Sequence, residues 1–149
     1  MATGQEILDA LELGAMNAPL EDGGFQHVSG LTYTIDLSVP SSVVLDATGS
    51  FAGVAGPYRV TNVLVNGQPL NVNSTYTVAS HNYMIKEGGS GFNMFMDNTL
   101  LQDCTMLDNQ LLIDYITEYL GGTIGSQYAD PYGSGRIQYS GVQAAANAA

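Results

Sequence analysis

Positive charge is scarce in this chain: 3 Lys and Arg stand against 14 Asp and Glu over 149 residues, a formal net charge of −11. A protein that follows a phosphate backbone needs a basic stripe to displace its counterions, so nucleic-acid binding is excluded as a function, and docking on anionic membrane surfaces with it. Cysteine is reduced to Cys104, which excludes an internal disulfide. Its neighbours Leu100, Leu101, Met106 and Leu107 predict a buried, inert thiol. No apolar run approaches the roughly 18 residues that a helical membrane span requires. A basic n-region followed by an apolar h-region is also missing at the start, so no signal peptide is expected within these residues.

What is present argues for a folded domain. Hydrophobic residues make up 45% of the chain, too many for an intrinsically disordered segment. A single domain of this length buries roughly 70% of the surface its unfolded chain exposes, enough for one core. The 18 Gly and 9 Tyr, with abundant Asn, Thr and Ser, resemble the usage of bacterial exported and surface proteins. An extracellular, periplasmic or cell-wall location is therefore expected. Residues 1–140 form the expected domain, and 141–149 an Ala-rich disordered tail.

Hydrophobic periodicity supplies the elements. Thr3 or Gly4 can cap a first helix in which Ile7, Leu8, Ala10, Leu11 and Ala15 share a face, with Gly14 as its stop. Leu31 to Leu37 alternates strictly between apolar and polar residues and predicts a half-buried strand. Residues 38–57 read as a long excursion with one short strand at Ser42–Leu45. Tyr58 to Val65 runs into Asn66-Gly67, whose tolerance of positive φ at both central positions predicts a type I′ hairpin. Thr75–Ser80 reads as a further strand and His81–Ile85 as a short helical turn. Asp108 to Leu120 has a cap, a helical period and a Gly121-Gly122 stop, and Gly135–Tyr139 reads as a last strand. Mostly antiparallel strands with two main helices packed on them give an α+β fold.

Catalytic signatures are missing. His27 and His81 are not spaced as metal ligands, and neither an H-E-x-x-H nor a Gly-x-Ser-x-Gly elbow occurs. No catalytic and no metal-binding residues are assigned. The stretch Gly88-Gly89-Ser90-Gly91-Phe92 suggests a phosphate cradle at first sight, but lacks the lysine-serine signature and has only Lys86 as a nearby cation. Glu21 and Asp22 read as a solvated acidic turn, and His27 as a structural residue. What remains is a binding constellation. Phe25 and Phe92 each follow a glycine at a loop-to-strand transition, where a ring can project and stack on a flat ligand, each aromatic pair contributing roughly 0.5–1.5 kcal/mol beyond burial. Asp97, five residues past Phe92, can accept from a ligand hydroxyl or amine.

Five segments in order carry a resemblance: Thr3 to Glu12, Gly24-Phe25-Gln26-His27-Val28-Ser29-Gly30 through Asp36, Val63 to Leu70, Tyr76-Thr77-Val78-Ala79, and Gly88-Gly89-Ser90-Gly91-Phe92. Together they resemble the C-terminal domain of the bacterial 5′-nucleotidase and 2′,3′-cyclic-nucleotide phosphodiesterase family over residues 3 to about 139. The resemblance implies a nucleoside-recognition domain whose base lies between two aromatics, mapped to Phe25 and Phe92. Asp97 maps to the acidic residue that holds the ribose, and Asn82 to a position lining the pocket. Gly88, Gly89 and Gly91 would support the loop that presents Phe92. Hydrolysis, and the dinuclear divalent metal that performs it, would belong to an N-terminal metallophosphoesterase domain outside these residues, so no cofactor is expected in this chain. Two departures stand out, Ser90 where the family usually has Asp and His27 beside the first aromatic. A family strand segment and phosphate-binding arginines would also lie upstream, leaving a sheet edge through which the chain could self-associate, which light scattering would reveal. The contrasting reading is a structural, adhesive or assembly module of a surface protein that keeps the fold without the ligand.

Overall fold

A computed structural model describes residues 1–130 and 133–141. Apart from Gly141, the tail expected at 141–149 lies outside the described residues. The elements are β1 (Ala2–Thr3), α1 (Gly4–Gly14), β2 (Leu31–Asp36), β3 (Val43–Leu45), β4 (Phe51–Val54), β5 (Val60–Val65), β6 (Gln68–Pro69), β7 (Thr75–Tyr76), α2 (Asn82–Ile85), α3 (Asp108–Asp114) and β8 (Ile137–Ser140). This is the expected α+β arrangement.

Local chemistry at the start of α1 explains where it begins. The Thr3 hydroxyl accepts from the Glu6 backbone N–H at 3.2 Å, and the Glu6 carboxylate accepts from the Thr3 N–H at 2.8 Å. This reciprocal pair satisfies donors that a helix N-terminus leaves open. Two further amides, those of Gly4 and Gln5, donate to the carbonyls of Ser74 and Val72 at 2.8 and 3.0 Å. A side chain at Gly4 would stand 2.2 Å from the Asn71 carbonyl oxygen, so only glycine lets the helix seat against this loop. The helix buries Ile7, Ala10, Leu11, Glu12 and Leu13.

The central sheet has the order β6-β5-β2-β8. β5 runs antiparallel to β2, with Leu31 opposite Val65 and Ile35 opposite Val60. β8 lies parallel to β2 on the other side, with Tyr33 opposite Ile137 and Asp36 opposite Ser140. The alternation read from Leu31 to Leu37 is realised in burial: Tyr33 and Ile35 enter the core, while Thr32 stays exposed. Asn66 and Gly67 connect β5 to β6 with φ of 49° and 77°, the two positive values that the type I′ turn requires. Ile35, Val60 and Val63 close on the buried face of α1, with Met84, Phe92 and Phe95 completing the core.

Four expectations are corrected. The excursion 38–57 holds a hairpin of two strands, β3 and β4, whose turn is organised by the Asp46 carboxylate accepting from Thr48 N at 2.8 Å and Ser50 N at 3.0 Å. The strand expected at Thr75–Ser80 is confined to Thr75–Tyr76, the extent of its pairing with β1. In the 108–120 helix, α3 passes into a π-helical turn over Tyr115–Tyr119 before Gly121 and Gly122, both at positive φ, end it. Its apolar side is solvated, with Leu112 59% and Tyr119 80% exposed. Cys104 is exposed rather than buried. The neighbouring Asp103 carboxylate raises the thiol pKa by hydrogen bonding and by its charge, which favours the protonated form. Asp103 is held in turn by Lys86 at 2.7 Å.

Candidate functional site

The two Gly-Phe segments meet in space. A side chain placed on Gly24 would lie 3.8 Å from the Phe92 ring and 3.9 Å from Ser90 Cβ. The loop before Phe25 is fixed by Asp22, whose carboxylate accepts from Gly24 N at 2.6 Å, and by Gln26, whose side-chain amide donates to the Gly24 carbonyl at 2.8 Å. Gly14, at the end of α1, is kept small by the same loop, since a Cβ there would be 2.8 Å from Gln26 Cγ.

The rings differ in environment. Phe25 is half-buried and its ring meets His27 edge-on, with centroids 5.4 Å apart and planes at 70°. Phe92 does not project. It is 2% exposed and belongs to the core. The glycine loop folds as a 3-10 turn over Gly89–Gly91 with positive φ at Gly88, Ser90 and Gly91, and this path turns the ring inward. Ser90 takes that conformation without being glycine, at φ 56°.

Phe25 forms one wall of a cleft of about 320 Å³, with His27, Val28, Ser134, Arg136 and Tyr139 among its other walls. That size is at the lower end of small-molecule pockets. Arg136 is anchored at both ends: its backbone carbonyl accepts from Tyr33 N at 2.9 Å, its Nη1 donates to the Val28 carbonyl at 2.6 Å, and its Nε donates to Ser134 Oγ at 2.7 Å. Neither Asn82 nor Asp97 is among the described residues lining this cleft. Asn82 is the first residue of α2, exposed, and donates to the Glu87 carboxylate at 3.0 Å. Asp97 is exposed and follows the 3-10 turn Asn93–Phe95. Arg136, Ser134 and Tyr139 were not among the residues singled out from the sequence. The signal available was thin: Arg136 is one of 3 cations, flanked by Gly135 and a short apolar strand.

Tyr33 ties the sheet to the Phe25 loop, its hydroxyl donating to the Gln26 carbonyl at 3.0 Å. Burial, and to a lesser extent the nearby Tyr139 phenol, raises its pKa well above that of a free tyrosine. Tyr58 is pushed up to about 12, chiefly by desolvation and then by its hydrogen bond to Asp9. A phenol with a raised folded pKa gives stability that is complete below the unfolded value near 10 and lost as pH rises beyond it, because the unfolded chain releases the proton first. Urea unfolding between pH 8 and pH 11 should show stability falling above about pH 10, with a limiting slope of about 1.4 kcal/mol per pH unit for each such group. Tyr33→Phe should flatten that fall. An unchanged slope in the variant would overturn the assignment.

The family model for the 5′-nucleotidase C-terminal domain matches residues 1–97. The chain belongs to the 5′-nucleotidase C-terminal domain family. It is 28% identical over 137 residues to the trifunctional nucleotide phosphoesterase protein YfkN of Bacillus subtilis (strain 168), covering 91% of this chain and 8% of that protein. It also resembles the crystal structure of the 5′-nucleotidase precursor from Thermus thermophilus, with a TM-score of 0.67 and 28% identity over 95% of this chain and 24% of the other. The chain thus spans well under half the length of either relative. Among the described residues, no group of three or more His, Cys, Asp or Glu could hold a metal ion, and no helix is long and apolar enough to cross a membrane.

Proposed function

We propose that this domain recognises the nucleoside part of a nucleotidase substrate, with the Phe25 wall of the cleft as the surface on which the base stacks. The observation that carries the reading is the half-buried Phe25 ring, which faces open space in a cleft while belonging to a nucleotidase-family domain. A phenylalanine edge-packed against His27 is held in one orientation, and a flat base can then stack without ordering the ring first. Phe92 is the second ring of the proposed pair. To reach the opposite face of a base it has to leave the core, and the Gly88–Gly91 turn, with its positive φ values at Gly88, Ser90 and Gly91, is the segment whose rearrangement would allow this. Asp97 is assigned to the ribose hydroxyls and Asn82 to the rim, and since neither lines the Phe25 cleft in this structure, both depend on the same rearrangement to reach the ligand.

Catalysis is assigned elsewhere. The described residues do not fit a dinuclear metal centre, so hydrolysis in this proposal belongs to a metallophosphoesterase domain; the Gly- and Tyr-rich, Lys-poor composition supports a place of action outside the cytoplasm. No hydrolytic step is derived for this chain.

Calorimetric titration with adenosine tests the proposal. Heat is expected with the unmodified chain, and Phe25→Ala should weaken binding about tenfold or more, the loss of one stacked ring and its burial. Binding of the same strength in Phe25→Ala would place the ligand elsewhere. No heat at all would leave the domain as a structural module of a larger nucleotidase-like protein.

A further inference from the structure

We infer that Arg136 makes the cleft selective for 6-oxopurine nucleosides over adenosine, an inference that rests on the reading of Phe25 as the stacking surface. It begins with the fate of the chain's three cations. Arg59 is buried, its Nη1 directed at the carbonyls of Ala15, Met16 and Ala18. Lys86 is paired with Asp103. Of the three, Arg136 is the one that stands beside Phe25 in the cleft.

A guanidinium carries five N–H donors and no acceptor. The described hydrogen bonds use two of them, Nη1 to Val28 and Nε to Ser134. These two bonds hold the planar fork in place, so presenting its remaining donors to a ligand costs little further side-chain freedom. Ser134 Oγ accepts from Nε, which leaves its own hydroxyl proton free to donate. Arg136 and Ser134 therefore offer donors in the cleft that Phe25 lines.

Purines differ at the edge that such a fork reads. Guanine and hypoxanthine present two adjacent acceptors, O6 and N7, which an arginine can engage bidentately, whereas adenine presents an N6 donor beside N7. A fixed guanidinium facing the N6 amino group sets donor against donor. One bidentate contact of this kind discriminates by about 5- to 150-fold in Kd. Adenine would be rejected less by size than by an unmatched hydrogen bond.

Inosine and adenosine isolate the difference, since they differ chiefly in the oxo or amino group at position 6. Titration of the unmodified chain should show inosine binding at least about 5-fold more tightly than adenosine. Arg136→Gln should bring the two together or reverse their order, because a glutamine amide matches the adenine N6 and N7 pattern. Arg136→Lys, which keeps the charge and loses the fork, should retain only a weakened preference. Circular dichroism and thermal melting of both variants confirm that the Val28 loop remains folded. Equal affinities for the two nucleosides with binding still dependent on Phe25 would overturn the base assignment alone. A preference that persists in Arg136→Gln would overturn Arg136 as its source. Binding of neither nucleoside would overturn this inference together with the reading it rests on.

Discussion

Replacing Phe92 with alanine is expected to lower the stability of the chain by about 3–5 kcal/mol, the cost of truncating a fully packed aromatic and leaving a cavity that its neighbours refill only in part. The ring is 2% exposed and sits in the same cluster as Ile35, Val60, Leu11 and Phe95. Gly24 of the Phe25 loop lies beside it, so the void would open next to that loop. Urea unfolding reads the effect, and a loss below about 1 kcal/mol would show that the ring is not part of the core. The size of this effect also decides how the binding proposal must be tested. A chain weakened this far can lose ligand affinity simply by unfolding, so failure of Phe92→Ala to bind adenosine says nothing about stacking. Phe92→Leu, which keeps most of the volume at about 1–2 kcal/mol, and Phe25→Ala at the accessible wall separate the two causes.

Phe92 also marks where sequence reasoning stops. A glycine followed by an aromatic at the end of a loop is compatible with a ring that projects and with one that turns inward. Three positive-φ residues on one turn direct it inward, and the core it joins includes residues of α1 and β5, which lie far away in the sequence. By contrast, the β2 alternation, the Asn66-Gly67 turn and the first helix were legible because each depends on residues a few positions apart. β4 was hidden since Ala52 and Gly53, both depleted in strands, interrupt Phe51 and Val54, and its pairing with β3 supplies the order. Cys104 shows the opposite error. Its sequence neighbours are apolar, yet Leu100, Leu101, Met106 and Leu107 are themselves exposed, so the run forms no interior to bury it.

The cleft was illegible for a topological reason. Its walls come from residues 25–28 and 133–139, brought together by the parallel pairing of β2 with β8. Parallel neighbours need a long crossover connection, and no local pattern announces which distant strand will arrive. Phe25 and the family resemblance were readable beforehand, whereas Arg136, Ser134 and Tyr139 became neighbours of Phe25 only through that pairing. Asp97 and Asn82, inferred from order along the chain, do not share in it.

The second large effect is expected at Glu12, a carboxylate at 0% exposure in the middle of α1. Its sequence context, Ala10-Leu11-Glu12-Leu13, gives no sign that it faces inward. Its two oxygens accept from the backbone N–H groups of Arg59 at 3.1 Å and Val60 at 2.8 Å, where the chain enters β5. The Arg59 side chain reaches in the other direction, its Nη1 3.0 Å from the Ala18 carbonyl and 3.2 Å from the Ala15 carbonyl, a cation placed at the C-terminal end of α1. Together the two residues bolt α1 to the start of β5 through backbone groups, and Arg59 Nε has no hydrogen-bond partner among the described residues. Glu12→Ala strands two buried backbone donors, each costing about 1–3 kcal/mol, so a loss of about 2–6 kcal/mol is expected. Glu12→Gln keeps one carbonyl acceptor but turns an amide donor toward the remaining N–H, and should fall between, at about 1–3 kcal/mol. If the carboxylate were only a solvated helix residue, both variants would unfold within about 0.5 kcal/mol of the parent. An equal, large loss in both would instead locate the effect in the charge, and a large loss in alanine alone would locate it in the accepted hydrogen bonds.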